Sequence, residues 1–221
     1  MAGLMQIRRT ADRDRPALLR LWREAFSEDG SWFFDRINAK GWCAENGGLL
    51  AMAFALPQTL VTEQGEFPAA YLYAVATAKA ARGKGIATEL IRAIEADLKA
   101  DGVSGVVLVP AEQSLFPFYD RMGYRVWAYR QTATQAGGKP CSAEEYLSLR
   151  KAMLPKPFLQ PSVEIAECYR FLQTASGAYA LDDNGAVRES LPATQTGAPF
   201  AMAKAFSEVF PQQGYFSLAL D

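Results

Sequence analysis

The stretch from Ala70 to Ala100 constrains the fold more than any other part of the chain. Ala70 to Thr77 (AYLYAVAT) is apolar at nearly every position, the pattern of a central strand covered from two sides. Ile86, Leu90, Ile94 and Leu98 recur at helical spacing up to Ala100, with Glu89, Arg92 and Lys99 on the other faces. The loop between them contains Arg82-Gly83-Lys84-Gly85, and Gly102 ends the helix. A second apolar run, Val106 to Val109, follows, so the helix is a crossover between two strands of at least a partly parallel sheet.

The flanking segments extend the same alternation. Met5 to Arg9 reads as a short strand, Ala11 to Phe26 as an amphipathic helix and Trp32 to Ala39 as a second helix. Trp42 to Glu45 and Leu49 to Leu56 bracket Asn46-Gly47-Gly48, a hairpin turn, and Pro57 is expected to close the second strand. Glu112 to Met122 reads as a helix capped by Gly123, and Tyr124 to Arg130 as a strand. The run Ala136-Gly137-Gly138-Lys139-Pro140 reads as a linker. Beyond it helices are expected at Ala143 to Met153, near Val163 to Thr174 and around Phe200 to Val209. A hairpin over Ala178 to Leu191 turns at Asp183-Asn184-Gly185, and Tyr215 to Leu220 reads as a terminal strand. The fold class is therefore α/β, with a domain at 1–135 and a smaller α+β lobe at 136–221 packing on it.

Composition removes several kinds of chemistry. The 221 residues include no histidine, which excludes a Ser-His-Asp triad, a Cys-His dyad, an HExxH zinc site and an imidazole base. Cys43, Cys141 and Cys168 are far apart and odd in number, which reads as reduced thiols rather than a disulfide framework or a zinc cluster, and no metal is expected. Lysine plus arginine total 23 against 24 acids, too balanced for a dedicated nucleic-acid binder. No run approaches the ~18 apolar residues of a membrane span, and the amino-terminal residues lack the apolar core of a signal peptide. A cytoplasmic protein without nucleic-acid or membrane partners is expected.

A glycine loop opening a helix is an anion site: the first helical amides have no intrahelical acceptor, and the helix dipole adds partial positive charge there. The Walker pattern fails because Gly85 follows Lys84, and the dinucleotide fingerprint fails for want of its third glycine. Arg82, Gly85 and Ala87 do fit Arg/Gln-x-x-Gly-x-Gly/Ala, and Phe116-Pro-Phe-Tyr-Asp-Arg-Met-Gly-Tyr124 follows about thirty residues on. In these two ordered motifs the chain resembles the GCN5-related N-acetyltransferases, over about residues 5 to 131.

The resemblance implies a mixed sheet, splayed at its centre and flanked by helices, that binds acetyl-coenzyme A and acetylates a primary amine by direct transfer in a ternary complex. It implies that backbone groups of Val75, Ala76 and Thr77 hold the pantetheine and polarise the thioester carbonyl. The loop and first turn, Arg82, Gly83, Lys84, Gly85, Ile86, Ala87 and Thr88, would hold the pyrophosphate. Phe118 would pack beside the cofactor, and Tyr119 would protonate the departing thiolate. The central strand lacks the acid that many members use as a base, which leaves a relayed water, an amine bound already neutral, or a third option. The Tyr-Ala-Val-Ala-Thr strand and the linked carboxy-terminal lobe resemble the enhanced intracellular survival aminoglycoside acetyltransferases, whose terminal carboxylate reaches the active site, and this would assign that role to Asp221.

Other features read more plainly. The cluster Arg8, Arg9, Arg13, Arg15, Arg20 and Arg23 is interleaved with acids and reads as a solvated face, and Glu144-Glu145 as helix capping. Tyr71 and Tyr73 either line an acceptor pocket or fill the sheet. A small-molecule amine is the favoured acceptor, and the oligomeric state stays open, a homo-oligomer included. The competing function is a non-catalytic acyl-coenzyme A sensor or scaffold.

Overall fold

A computed structural model describes residues 4–131, 137–193 and 195–220. Two units, Met1–Leu56 with Tyr71–Val103 and Pro57–Ala70 with Ser104–Asp221, each form their own cluster of contacts. The first contains β1 (Gln6–Arg9), α1 (Arg15–Phe26), α2 (Ser31–Arg36) and β2 (Lys40–Glu45), followed by β3 (Leu49–Thr62), β4 (Gly65–Thr77) and α3 (Ile86–Ala100). The strands β3 and β4 are long enough to contribute to both units.

In the first unit the strands lie in the order β1-β2-β3-β4, with Ile7 opposite Ala44 and Cys43 opposite Met52. On one face Trp22 of α1, wholly buried, meets Phe33 at 5.1 Å, Phe34 at 5.9 Å, Tyr73 at 6.0 Å and Phe54 at 6.4 Å. Gly30 is required there, because a Cβ would lie 2.5 Å from the Trp22 ring. On the other face the Trp42 Nε1–H donates to Asp97 of α3 at 2.8 Å. The aliphatic row expected on α3 is the buried one: Ile86, Leu90, Ile94 and Leu98.

The second unit continues with β5 (Gly105–Leu108), α4 (Phe116–Arg121), β6 (Arg125–Gln131), β7 (Lys139–Cys141) and α5 (Ala143–Met153). Then come β8 (Phe158–Pro161), α6 (Val163–Ala166), β9 (Arg170–Gln173), β10 (Ala178–Leu181), β11 (Val187–Leu191) and β12 (Gln195–Ala205). Its strands run β4-β5-β12-β6, with β8 beside β3, and a separate sheet runs β11-β10-β9-β7. The chain enters β5 beside the start of β4: the Ser104 amide and hydroxyl both donate to the Pro68 carbonyl, at 2.8 and 2.7 Å. The α/β class expected from the sequence is the one observed.

Several local expectations are corrected. Pro57 does not end β3, which runs on to Thr62; on one edge the pairings pass from Lys40 opposite Ala55 to Gln58 opposite Pro161. The segment around Phe200 is the strand β12 rather than a helix. It lies between β5 and β6, with Met202 opposite Leu108 on one side and Val126 on the other, and there an apolar run of small residues is covered by strands at both edges. Only Val163–Ala166 of the helix expected to reach Thr174 forms, since Arg170–Gln173 pairs between β7 and β10. Lys139 and Pro140 of the expected linker belong to β7, while its residue 136 lies outside the described residues. The segment at 215–220 is no strand: it makes one isolated bridge, Tyr215 to Phe158, yet is buried from end to end apart from Ser217.

Candidate active site

In the first unit β4 carries a conformation that the sequence does not signal. Ala74 has φ 49°, in the left-handed region. Among the described non-glycine residues Ser27 shares that region, but Ser27 caps the carboxyl end of α1, where such a φ is common. For an alanine inside a strand it costs about 1–2 kcal/mol. Nothing about an alanine announces this, and the sequence reading missed it.

After Thr77 the chain makes a single tight turn at Lys79–Ala81 and reaches Gly83 and Gly85, with φ 76° and 77°. Gly85 is the N-cap of α3, and no side chain caps the helix. A Cβ at either glycine would meet nothing within 4 Å, so the backbone faces open space on that side. The first-turn amides at Ile86, Ala87 and Thr88 have no acceptor within the helix. Arg82 and Lys84 are exposed and folded onto the loop: the Arg82 Nε donates to the Thr77 carbonyl and the Lys84 Nζ to the Ala80 carbonyl, each at 3.1 Å. The loop is anchored where the Ala78 amide donates to the Leu50 carbonyl at 2.8 Å and the Lys79 amide to Glu24 at 2.5 Å. The helix start after this loop is thus uncapped by any side chain, and the two glycines face open space. Half-buried Tyr73 packs on Trp22 and Phe33, and buried Tyr71 lies against Tyr73 at 5.7 Å.

In the second unit Pro117 starts α4, and Gly123, at φ 91°, stops it after two turns. That short helix holds Tyr119 with its ring edge-on to Phe118 at 5.0 Å and to Tyr124 at 5.8 Å. Tyr119 is 7% exposed, and burial pushes its phenol up to about 12. Phe118 is half-buried beside it.

Asp221 lies outside the described residues. The segment before it is held by a buried network absent from the sequence reading. Arg150 and Glu189, both fully buried, pair through Nε–Oε2 at 2.7 Å and Nη2–Oε1 at 3.0 Å. Tyr146 donates to the same carboxylate at 2.8 Å, and so does the Ser217 hydroxyl. The Tyr169 hydroxyl donates to the Ala219 carbonyl at 2.6 Å. Glu145 closes a capping box with Ser142, which accounts for the acids at the start of α5. Arg8, from the basic cluster, forks between Asp14 and Glu45.

No helix of the described residues is long and apolar enough to cross a membrane. Comparison with known proteins matches residues 6–127 to a family described as an acetyltransferase (GNAT) domain. No curated protein matches the chain. Among solved structures it is similar to a probable N-acyltransferase from Enterococcus faecalis V583, at 12% identity and TM-score 0.68, over 91% of this chain and 72% of the other. A GCN5-related N-acetyltransferase from Kribbella flavida gives 14% identity and TM-score 0.67, over 91% and 71%. Eis1 from Mycobacterium abscessus gives 14% and 0.59, over 80% of this chain and 53% of that one.

Proposed function

The chain belongs to the GNAT acetyltransferase family, and from that premise we propose that it transfers an acetyl group from acetyl-coenzyme A to the primary amine of a small molecule, directly, in a ternary complex. The observation that carries the reading is the run from Ala74 to Thr88. Ala74 holds a left-handed φ just before Val75, and an uncapped helix start with two left-handed glycines follows. These groups fit the two polar parts of the donor. Amides of Gly83 to Thr88 bind the pyrophosphate, with charge from Arg82 and Lys84, and backbone groups of Val75, Ala76 and Thr77 hold the pantetheine. The Val75 amide polarises the reacting carbonyl. Acetyl-coenzyme A supplies the activated acyl group. Phe118 packs beside it.

Tyr119 acts as a hydrogen-bond donor to the sulfur. With its phenol at about 12 it is protonated throughout the neutral range. Its proton passes to the departing sulfur as the carbon–sulfur bond breaks, and the phenolate left behind is reprotonated from solvent. The Asp221 carboxylate is proposed as the group that takes the amine proton, by likeness to the enhanced intracellular survival acetyltransferases. Residues 1–135 carry the transferase domain, and 136–221 form a lobe that lends it β12. The test is a thiol-release assay with acetyl-coenzyme A and a panel of primary amines, alongside a direct binding measurement. Turnover on at least one amine is expected. Tight binding with no turnover on any would replace the enzyme with a sensor, and full turnover after removal of Asp221 would remove its role as base.

A further inference from the structure

The turns at 10–12 and 37–40 frame a cavity of about 480 Å3 in the first unit. Its floor depends on Gly41 of β2, which pairs with Phe54 of β3. A Cβ at Gly41 would lie 2.3 Å from the Thr10 Oγ1 and 2.8 Å from the Phe54 ring, so the missing side chain is what lets ring and hydroxyl meet there. Leu18, Phe33, Ile37 and Phe54 are buried and Phe34 is half-buried, which makes the inside apolar and largely aromatic. The charged lining residues are the exposed Arg9, Lys40 and Asp12 and the half-buried Arg15, whose guanidinium lies 5.7 Å from the centre of the Phe34 ring. Tyr73 of β4 does not line the cavity but packs on Phe33 at 5.4 Å, so Phe33 stands between the cavity and β4. The loop after β4 is anchored elsewhere on β3: its Ala78 amide donates to the Leu50 carbonyl, four residues and about 13 Å of strand from Phe54.

We propose that this cavity is a second small-molecule site and that it takes a carboxylate carried on a small aromatic body. Its size is within the range of ligand pockets, about 300–1,000 Å3. The ring packs against Phe33, Phe34 and Phe54. Arg15 supplies the partner for the carboxylate: it bonds Asp35 through Nη2, and among the described residues its Nε and Nη1 make no hydrogen bond. Arg9 and Lys40 pair with Asp97 and Asp101, which lie outside the lining, in exposed pairs of the kind that contribute little. Those acids offset part of the positive charge, which selects a single carboxylate over a multiply charged phosphate. An amine would meet three cations and one acid among the lining residues, so this is not the site of the acceptor. Such a site is independent of whether the chain transfers acetyl groups.

The test is an NMR titration of the nitrogen-15-labelled protein with three probes: phenylacetate, phenethylamine, which has the ring with the opposite charge, and acetate, which has the charge without the ring. Phenylacetate should move the amides at 10–12 and 38–41 saturably, with a Kd of about 1 mM or tighter, and saturating coenzyme A should leave that binding in place. Phenethylamine and acetate should bind at least about tenfold more weakly. Arg15→Gln should weaken phenylacetate about tenfold or more, and Arg15→Lys, which keeps the charge but loses the fork, should fall between it and the wild type. Arg20→Gln, on the same helix but outside the cavity, should change nothing. The absence of a saturable shift, equal binding of the three probes, or shifts centred on 82–88 that coenzyme A abolishes would overturn the proposal. So would a Kd unchanged in Arg15→Gln, or, if that variant does not fold, unchanged in Arg15→Lys.

Discussion

Replacing Glu189 by Gln keeps the shape of the buried network and removes its charge. The wild-type carboxylate takes two hydrogen bonds from Arg150, one from Tyr146 and one from Ser217, with both members of the ion pair fully buried. Neutralising one partner leaves the Arg150 guanidinium charged and without its counter-ion, a loss of about 3–5 kcal/mol. For a chain of this length each kcal/mol moves Tm by about 2–4 °C, so Tm should fall by roughly 6–20 °C. Replacing both partners together, Arg150→Met with Glu189→Leu, should be close to neutral or mildly stabilising, since no orphaned charge remains. Circular dichroism against temperature and urea measures both. The pH dependence has a defined sign. Burial alone would raise the Glu189 carboxyl, but the charge of Arg150 and the hydrogen bonds from Arg150, Ser217 and Tyr146 hold it below its ordinary 4.5. The folded state therefore binds this proton less readily than the unfolded one. The contribution is complete above that ordinary value and is lost as pH falls below it. A Glu189→Gln protein within about 1 kcal/mol of wild type at pH 7 would refute the assignment of a desolvated pair.

Three further outcomes follow from the candidate site. Tyr119→Phe should lower kcat about 10²- to 10⁴-fold with acetyl-coenzyme A affinity nearly unchanged, because both ring contacts survive and only the donor is lost; rapid kinetics against calorimetric Kd checks it. Gly85→Ala should cost about 1–2 kcal/mol at its left-handed φ and weaken acetyl-coenzyme A binding about tenfold or more, since the added methyl enters the open side of the loop; isothermal titration calorimetry reads the affinity. Ala74→Val places a β-branched residue at φ 49°, so both Tm and kcat should drop, whereas Ala74→Gly should keep the fold.

Legibility followed how local each determinant is. The helix Ile86–Ala100 and the helix Ala143–Met153 were readable to the residue, the first from its aliphatic row and the second with the acids Glu144 and Glu145 at its start. Both hairpin turns were carried by Asn-Gly chemistry at Gly47 and Gly185. The strand at 195–205 was not readable. Its alanines, methionine and lysine favour a helix in isolation, and only the neighbours β5 and β6, distant in sequence, make it a strand. Gly83, Gly85 and Tyr119 stood out through motif spacing. The strained Ala74 and the Arg150–Glu189 pair across 39 positions are tertiary facts that no local pattern encodes.

Acetyl transfer itself is most directly tested with acetyl-coenzyme A carrying carbon-13 at the acetyl carbonyl, followed by NMR in the presence of a primary amine. The carbonyl signal should leave the thioester region and reappear as an amide in the wild type, and do so far more slowly in Tyr119→Phe. A signal that stays with the thioester, or that moves to free acetate at the same rate with and without amine, would contradict the assignment of this chain as an amine acetyltransferase.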